Sequence, residues 1–154
     1  MTGSKNNKTL EHGTEIESIN EILALQEGEN KTHKLHAVLK ADGLLLEKIE
    51  HQTEELCLVA IQSNGLALKY VKNQTPNLCL AAVKQNGLAL QYIEELSMEE
   101  CFTAVLQNDL ALDYIKDDYV QELCSEALYF RDYDPEDLEG FMSVFVKNKV
   151  IYID

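Results

Sequence analysis

A period of 22 residues runs through the centre of this chain and constrains its fold more than any other feature. The stretch NGLALKYV begins at Asn64 and recurs as NGLALQYI at Asn86 and as NDLALDYI at Asn108. A weaker copy, DGLLLEKI, begins at Asp42, and an apolar segment such as LCLVAI or LCLAAV precedes the later copies. Such a period is typical of repeat proteins, in which each unit buries its apolar face only against its neighbours.

Two structures compete for the repeating unit, a β-hairpin and a pair of helices. An Asn-Gly dipeptide between two apolar runs is a strong signal for a hairpin turn. However, the segment LCLAAV at 78–83 is apolar at odd and even positions alike, whereas a half-buried strand alternates. The segment is also rich in Leu and Ala, which favour helices. We therefore predict helix–turn–helix units.

Residues that start and stop helices agree with this choice. Pro76 suits the first helical position after an N-cap threonine, and Ser97 with Glu100 has the spacing of a capping box. Gly65 and Gly87 fall where a first helix ends, which predicts a left-handed backbone conformation at both glycines.

Aligned columns of the repeats predict which side chains are buried. In the first helix, three columns at i, i+3 and i+4 form one apolar stripe. These columns are Cys57/Cys79/Cys101, Ala60/Ala82/Ala104 and Ile61/Val83/Val105. In the second helix, two columns pair at i, i+4 with a third beside them. These columns are Leu66/Leu88/Leu110, Tyr70/Tyr92/Tyr114 and Val71/Ile93/Ile115.

The string AAVKQNGLALQYI at 81–93 resembles the signature of a bacterial domain-of-unknown-function repeat family, A-A-V-x-Q-N-G-x-A-L-x-Y. The resemblance spans about residues 32–133 and is tightest over 55–115. Asp109 replaces the expected Gly and Lys48 the expected Tyr, both in end repeats, which are usually atypical. The resemblance implies short antiparallel helices in tandem, and it brings no established activity or catalytic residues.

The predicted fold class is therefore all-α: tandem helix–turn–helix repeats forming a small α-solenoid with capping segments at both ends. Residues 1–13 are expected to be a disordered tail and residues 14–154 one domain. The repeats are expected at about 32–52, 53–74, 75–96, 97–118 and 119–134. In the last repeat, Cys124 and Ala127 match the earlier cysteine and alanine columns at an offset of 23 residues.

The capping segments have their own signals. Thr14 and Glu17 have capping-box spacing, and a stripe including Ile19 and Ile22 follows, so we predict a helix that ends at Gly28. At the other end, DYDP at 132–135 predicts a turn, followed over 135–154 by a capping helix and an extended tail of strand-like composition, KVIYID.

The net charge of −14 is concentrated in one part of the chain. Residues 94–139 contain 15 acidic and two basic side chains, whereas the rest of the chain has 12 acidic and 11 basic ones. A block of this kind repels nucleic-acid phosphates and attracts basic protein surfaces.

No apolar run is long enough for a membrane span, and the N-terminus lacks the apolar core of a signal peptide, so we expect a cytoplasmic protein.

Residues that carry chemistry are few. The cysteines replace core positions without a C-x-x-C pair, and stacked helices lie about 8–10 Å apart, beyond disulfide reach. We therefore predict four reduced, buried thiols and no metal. His33 and His36 have no carboxylate placed to complete a catalytic or metal set, and no phosphate-binding glycine loop or G-x-S-x-G motif occurs. We expect neither an enzyme nor a cofactor.

The leading hypothesis is a non-enzymatic module that binds another protein, with partner identity and oligomeric state left open. The alternative is an acidic inhibitor or immunity-type protein, a phage or bacterial antagonist that blocks a basic site on a target protein or nuclease. In either case the candidate contact residues are Asp113, Asp117, Asp118, Glu122, Glu126, Asp132, Asp134, Glu136 and Asp137. A rival contact surface is near-neutral and consists of Gln62, Lys69, Lys72, Lys84 and Gln91.

Overall fold

The computed structural model of the chain describes residues 19–26, 28–133 and 140, and every regular element within them is helical. Short α-helices alternate with six-residue 3₁₀ helices, labelled η. The elements are α1 (Ile19–Leu23), α2 (Glu29–Ala41), η1 (Gly43–Lys48), α3 (Glu54–Ser63), η2 (Gly65–Tyr70), α4 (Pro76–Gln85), η3 (Gly87–Tyr92), α5 (Met98–Gln107), η4 (Asp109–Tyr114) and α6 (Asp118–Tyr133). The predicted all-α fold is confirmed, and the repeating units are not hairpins.

The helices form two layers. Helices α2 to α6 pack side by side in one layer, and η1 to η4 pack side by side in the other. Each 3₁₀ helix also lies against the α-helix of its own unit and that of the next, so the apolar core fills the space between the layers. The array is thus a small helical solenoid, in which each unit is stabilised by its neighbours.

Hydrogen bonds to side chains define where the α-helices begin. Thr75 is the N-cap of α4, accepting a bond from the backbone N–H of Leu78, and Pro76 follows it at the first helical position. Ser97 and Glu100 form a reciprocal capping box at the start of α5, with distances of 3.3 Å and 2.8 Å. Both predicted helix starts are confirmed.

Asparagine, rather than a left-handed glycine, marks the end of α3 and of α4. Asn64 is extended (φ −154°, ψ 111°), and its Oδ1 accepts a hydrogen bond of 3.0 Å from the N–H of Leu66, which opens η2. Gly65 and Gly87 do not have a positive φ, and among the described glycines only Gly28 does. The predicted left-handed conformation is wrong, because the extended asparagine already redirects the chain.

The glycines are instead required by the close approach of the next repeat. A Cβ on Gly65 would lie 2.6 Å from the carbonyl oxygen of Ala82. The N–H of Gly65 donates a hydrogen bond of 2.6 Å to Oε1 of Gln85, and the same bond recurs between Gly87 and Gln107. The Q-N-G part of the repeated motif therefore joins successive units.

The second helix of each unit buries a different face from the one predicted. In a 3₁₀ helix residues i and i+3 share a face, since three residues complete a turn. In η2 the buried residues are Gly65 with Leu68 three residues later, and Ala67, whereas Leu66 and Tyr70 are half-buried. The predicted i, i+4 pairing assumed an α-helix, and Leu66 and Tyr70 pack against the core only in part. Val71 and Ile115 of the third predicted column are buried. The stripe of the first helix is confirmed, since its cysteine, alanine and Ile/Val columns are all buried.

The two ends of the array differ from its centre. Helix α1 ends at Leu23, and Gly28 precedes α2 instead of ending α1. At the other end α6 runs for 16 residues and includes Asp132, so the turn predicted from that residue is wrong at its first two positions. The predicted tail at 1–13, the capping-box start at 14–17 and the C-terminal segment apart from residue 140, at 135–139 and 141–154, lie outside the described residues.

Candidate functional site

The described acidic residues of the predicted contact set lie on and after η4. Asp113 is exposed on η4, and Asp118, Glu122 and Glu126 are exposed along α6 at successive i, i+4 positions. This spacing places the last three carboxylates on one face of the helix. We call these four residues the acidic stripe.

Glu122 and Glu126 do not stabilise α6, the helix that carries them. Like charges at i, i+4 destabilise a helix by about 0.2–0.5 kcal/mol per pair. Within the described part of the chain, neither Glu122 nor Glu126 has an ion pair or a side-chain hydrogen bond. Their carboxylates are therefore available to a partner.

Two other residues of the predicted contact set, Asp117 and Asp132, make hydrogen bonds within the chain. Oδ1 of Asp117 accepts a hydrogen bond of 2.9 Å from the N–H of Val120 and so caps the start of α6. Asp132 accepts two bonds from Arg131, at 2.6 Å and 3.2 Å, and this guanidinium lowers the pKa of the Asp132 carboxyl. Arg131 also donates to the carbonyl of Leu106, which ties α6 to the last turn of α5.

The remaining predicted residues, Asp134, Glu136 and Asp137, lie outside the described residues. The structure therefore describes the position of six of the nine candidates. Four of them form the acidic stripe, and the other two are a helix cap and a member of an ion pair.

Exposed apolar side chains accompany the acidic stripe, and the sequence analysis did not anticipate them. Leu110 is 61% exposed and Tyr119 is 66% exposed. The equivalents of Leu110 in the earlier repeats, Leu66 and Leu88, are half-buried because another 3₁₀ helix follows η2 and η3. No such helix follows α6 in the described chain. The sequence did contain a signal of this exposure: the string N-G-x-A-L does not recur after Asn108, so no further 3₁₀ helix is indicated to cover η4.

An open groove of about 450 Å³ lies beside the acidic stripe, where η3 and α5 meet η4 and the start of α6. Its floor contains the buried side chains of Leu90, Cys101 and Ile115. Its other apolar lining residues are half-buried or exposed, namely Ile93, Leu96, Met98, Tyr114 and Val120. The charged lining residues are Glu94, Asp113, Lys116 and Asp117. We call this cavity the third groove, because it lies between the third and fourth units.

The four cysteines are free and buried, in agreement with their predicted place in the core. Burial raises the pKa of Cys79 to about 11 and that of Cys124 to about 12, so both thiols are protonated at neutral pH and react weakly. Among the described residues, no three His, Cys, Asp or Glu side chains are grouped closely enough to hold a metal ion.

The histidines of α2 lie on a different surface from the acidic stripe. His33 and His36 line a shallow groove between α2 and α3 together with Lys40. Nε2 of His36 is 3.7 Å from a carboxylate oxygen of Glu55, too far for a hydrogen bond, and it has no hydrogen-bond partner among the described residues. One carboxylate beside one imidazole is a surface contact rather than a catalytic or metal set.

The rival near-neutral residues are divided between the two layers. Gln62 and Lys84 are exposed on α3 and α4, whereas Lys69 and Gln91 are exposed on η2 and η3. Lys72 follows η2 and donates through Nζ to the carbonyl of Glu50. The acidic stripe likewise takes Asp113 from η4 and its other three residues from α6, so both sets draw on both layers.

A protein-family model matches the centre of the array. Its description is Domain of unknown function (DUF4116), and it covers residues 53–97. The match contains α3, η2, α4 and η3, and it supports the resemblance to a domain-of-unknown-function family. The acidic stripe lies beyond the matched residues. No curated protein and no solved structure matches the chain. No helix in the described ranges is long and apolar enough to span a membrane.

Proposed function

We propose that this chain is a non-enzymatic helical-repeat module that binds another protein through the acidic stripe. The observation that carries the proposal is the row of exposed carboxylates on α6, of which Glu122 and Glu126 repel each other and have no ion pair or side-chain hydrogen bond among the described residues. Exposed Tyr114 and Tyr119 lie on η4 and in the first turn of α6. Tyrosine beside charged residues is typical of protein interfaces, where aromatic side chains supply much of the binding energy.

The charge of this end indicates the chemistry of the partner. A basic protein surface would be drawn to the acidic stripe over long range, which raises the association rate and excludes acidic competitors. Nucleic acid would be repelled by the same charges. A cytoplasmic setting is part of the proposal, because four free thiols suit a reducing compartment.

A second candidate function uses the same surface. An acidic inhibitor or immunity-type protein of phage or bacterial origin would cover a basic site on a target protein or nuclease, and the charge concentration at 94–139 favours it. The two functions differ in the fate of the partner. A binding module leaves its partner active, whereas an inhibitor abolishes its activity at stoichiometric concentration.

The test is the association rate of the full chain with a partner captured by cross-linking and then purified. The variant carries Asp113→Lys, Glu122→Lys and Glu126→Lys, and the control carries Glu29→Lys, Glu47→Lys and Glu50→Lys. Both variants change the net charge equally, but only the first alters the acidic stripe. At low salt we expect about a tenfold slower association for the stripe variant, a flatter salt dependence, and a near-normal rate for the control. Equal rates for the two variants would refute the proposal.

A further inference from the structure

A glutamine links the loops of successive units at two of three equivalent positions. Nε2 of Gln52 donates a hydrogen bond of 2.9 Å to the carbonyl of Tyr70, and Oε1 of Gln52 accepts one from the N–H of Lys72. One repeat later, Nε2 of Gln74 donates a bond of the same length to the carbonyl of Tyr92. The glutamine amide therefore bonds backbone groups of the following loop, and an open groove of about 500 Å³ remains beside Gln74.

The third position has leucine instead. Leu96 stands 22 residues after Gln74, and it lines the third groove with 38% of its surface exposed. No described residue donates a hydrogen bond to the carbonyl of Tyr114 or accepts one from the N–H of Lys116. The third groove thus combines an apolar wall with backbone groups that a ligand can bond.

The charges around the third groove favour one kind of occupant. Glu94, Asp113 and Asp117 line it, and Lys116 is the one basic side chain among its lining residues. A ligand that enters its apolar part must therefore pass a net negative rim. Its volume of about 450 Å³ lies within the range of roughly 300–1,000 Å³ that is usual for ligand clefts.

We infer that the third groove binds a short segment of the partner protein in which an apolar side chain is flanked by lysine or arginine. The inference rests on the proposed function and specifies the partner. The apolar side chain contacts Ile93, Leu96 and Val120, while the flanking cations lie near Asp113 and Asp117. The peptide backbone of the segment bonds to the carbonyl of Tyr114 and the N–H of Lys116, as Gln52 bonds to the equivalent groups two repeats earlier.

The test uses two synthetic peptides with the full chain. The probe is a short fluorescein-labelled peptide of alternating lysine and leucine pairs, and in its matched control every leucine is replaced by serine, so that the charge is the same. We expect the leucine peptide to bind at least about tenfold more tightly. Amide chemical shifts should change at Ile93, Leu96, Lys116 and Val120. Equal binding of the two peptides, or shifts confined to other residues, would overturn the inference.

Leu96→Gln is the decisive variant, because it restores the residue found at positions 52 and 74 without changing the charge. The new amide can reach the Tyr114 carbonyl, so the variant should fold and melt no lower than the parent. It should bind the leucine peptide at least about tenfold more weakly. Leu96→Ser also removes the apolar side chain, but without introducing an amide, and it should weaken binding as well. Unchanged affinity in either folded variant would contradict the inference.

The same variants separate this inference from the proposed function. Glu122 and Glu126 do not line the third groove, so reversing them tests the acidic stripe alone. If reversal of these two residues slows association with the partner protein while Leu96→Gln has no effect, the groove inference fails and the proposed function stands. If neither change alters association, both fail.

Discussion

The N–H of Gly65 donates a hydrogen bond of 2.6 Å to Oε1 of Gln85, a residue of the following repeat. The same bond joins Gly87 to Gln107, and at the start of the array Ser63 accepts from Gly43 at 3.2 Å. Each bond links the first residue of a 3₁₀ helix to the last turn of the next α-helix. The repeated motif is therefore explained by the stacking of units, without reference to an activity.

Gln85→Ala should destabilise the array, because it leaves the buried N–H of Gly65 without an acceptor. An unsatisfied buried donor costs about 1–3 kcal/mol, which lowers the melting temperature by several degrees in a domain of this size. Gln62→Ala is the matched control, since Gln62 is exposed and its side chain has no hydrogen bond to the described residues. Thermal unfolding followed by circular dichroism measures both, and equal melting temperatures would contradict the prediction.

Gly65→Ala should also be destabilising, for a steric reason. The added Cβ would lie 2.6 Å from the Ala82 carbonyl, so the two units must move apart, at a cost of about 1–3 kcal/mol. In Gly140→Ala the added Cβ meets no atom of the described residues within 4 Å, and this control should melt at or slightly above the parent temperature. If Gly65→Ala and the control have the same melting temperature, the close approach of Ala82 does not explain why position 65 is glycine.

The sequence predicted the stacked helices because apolar columns at i, i+3 and i+4 recur in every repeat. It did not predict that the second helix is 3₁₀. The segment GLALKY is six residues long, and its apolar positions fit a spacing of three as well as four. Nor did it distinguish the two reasons for glycine at position 65. Both a positive φ and a close backbone approach select glycine, and only the structure shows which applies.

The candidate site was predictable in part. The charge concentration was visible in the composition, and the exposure of Glu122 and Glu126 agrees with it. The hydrogen bond of Asp117 and the ion pair of Asp132 depend on neighbours that composition does not reveal. Leu96 is a different case. The 22-residue period puts Leu96 in the same alignment column as Gln52 and Gln74. Only the structure shows that the two glutamines hydrogen-bond the following loop, and therefore what is lost when leucine replaces them.

The cysteines should be slow to react in the native state. With the pKa of Cys79 raised to about 11, its thiolate fraction at pH 8 is roughly a hundredfold below that of a thiol with the ordinary value of 9.0. We expect little modification by iodoacetamide in the folded chain and four alkylated thiols after denaturation without reductant. Mass spectrometry counts them. Rapid native labelling of Cys79 or Cys124, or fewer than four additions after denaturation, would be inconsistent with buried, reduced cysteines.

The same thiols make stability depend on alkaline pH. Burial raises the pKa of Cys79 and Cys124 to about 11 and about 12, so above pH 9 the unfolded chain releases protons that the folded chain retains. Their contribution is fully present below pH 9 and is lost as the pH rises towards 11–12. Between pH 9 and 10.5, the free energy of unfolding should fall less steeply in the Cys79→Ala, Cys124→Ala double variant than in the parent. Identical slopes would show that these thiols do not contribute.

Asp117 combines a structural role with a negative charge, and two substitutions separate them. Asn retains the oxygen that accepts from the N–H of Val120 and is as good an N-cap as Asp, whereas Lys removes both the acceptor and the charge. Asp117→Asn should therefore melt close to the parent, and Asp117→Lys should lose about 0.5–2 kcal/mol of stability. Thermal unfolding of both variants at one pH gives the comparison.

This result determines how charge reversal at the acidic end must be designed. Judged from the sequence alone, replacing Asp113, Asp117 and Asp118 by lysine leaves the fold intact. The hydrogen bond that Asp117 accepts from the N–H of Val120 in α6 predicts instead that this triple variant melts below the parent, while the Asp113, Glu122 and Glu126 reversal does not. Weakened binding by the first variant would then reflect a frayed helix as well as lost charge. If Asp117→Lys has the same melting temperature as the parent, the cap does not contribute to stability. Both triple charge-reversal variants would then report on charge alone.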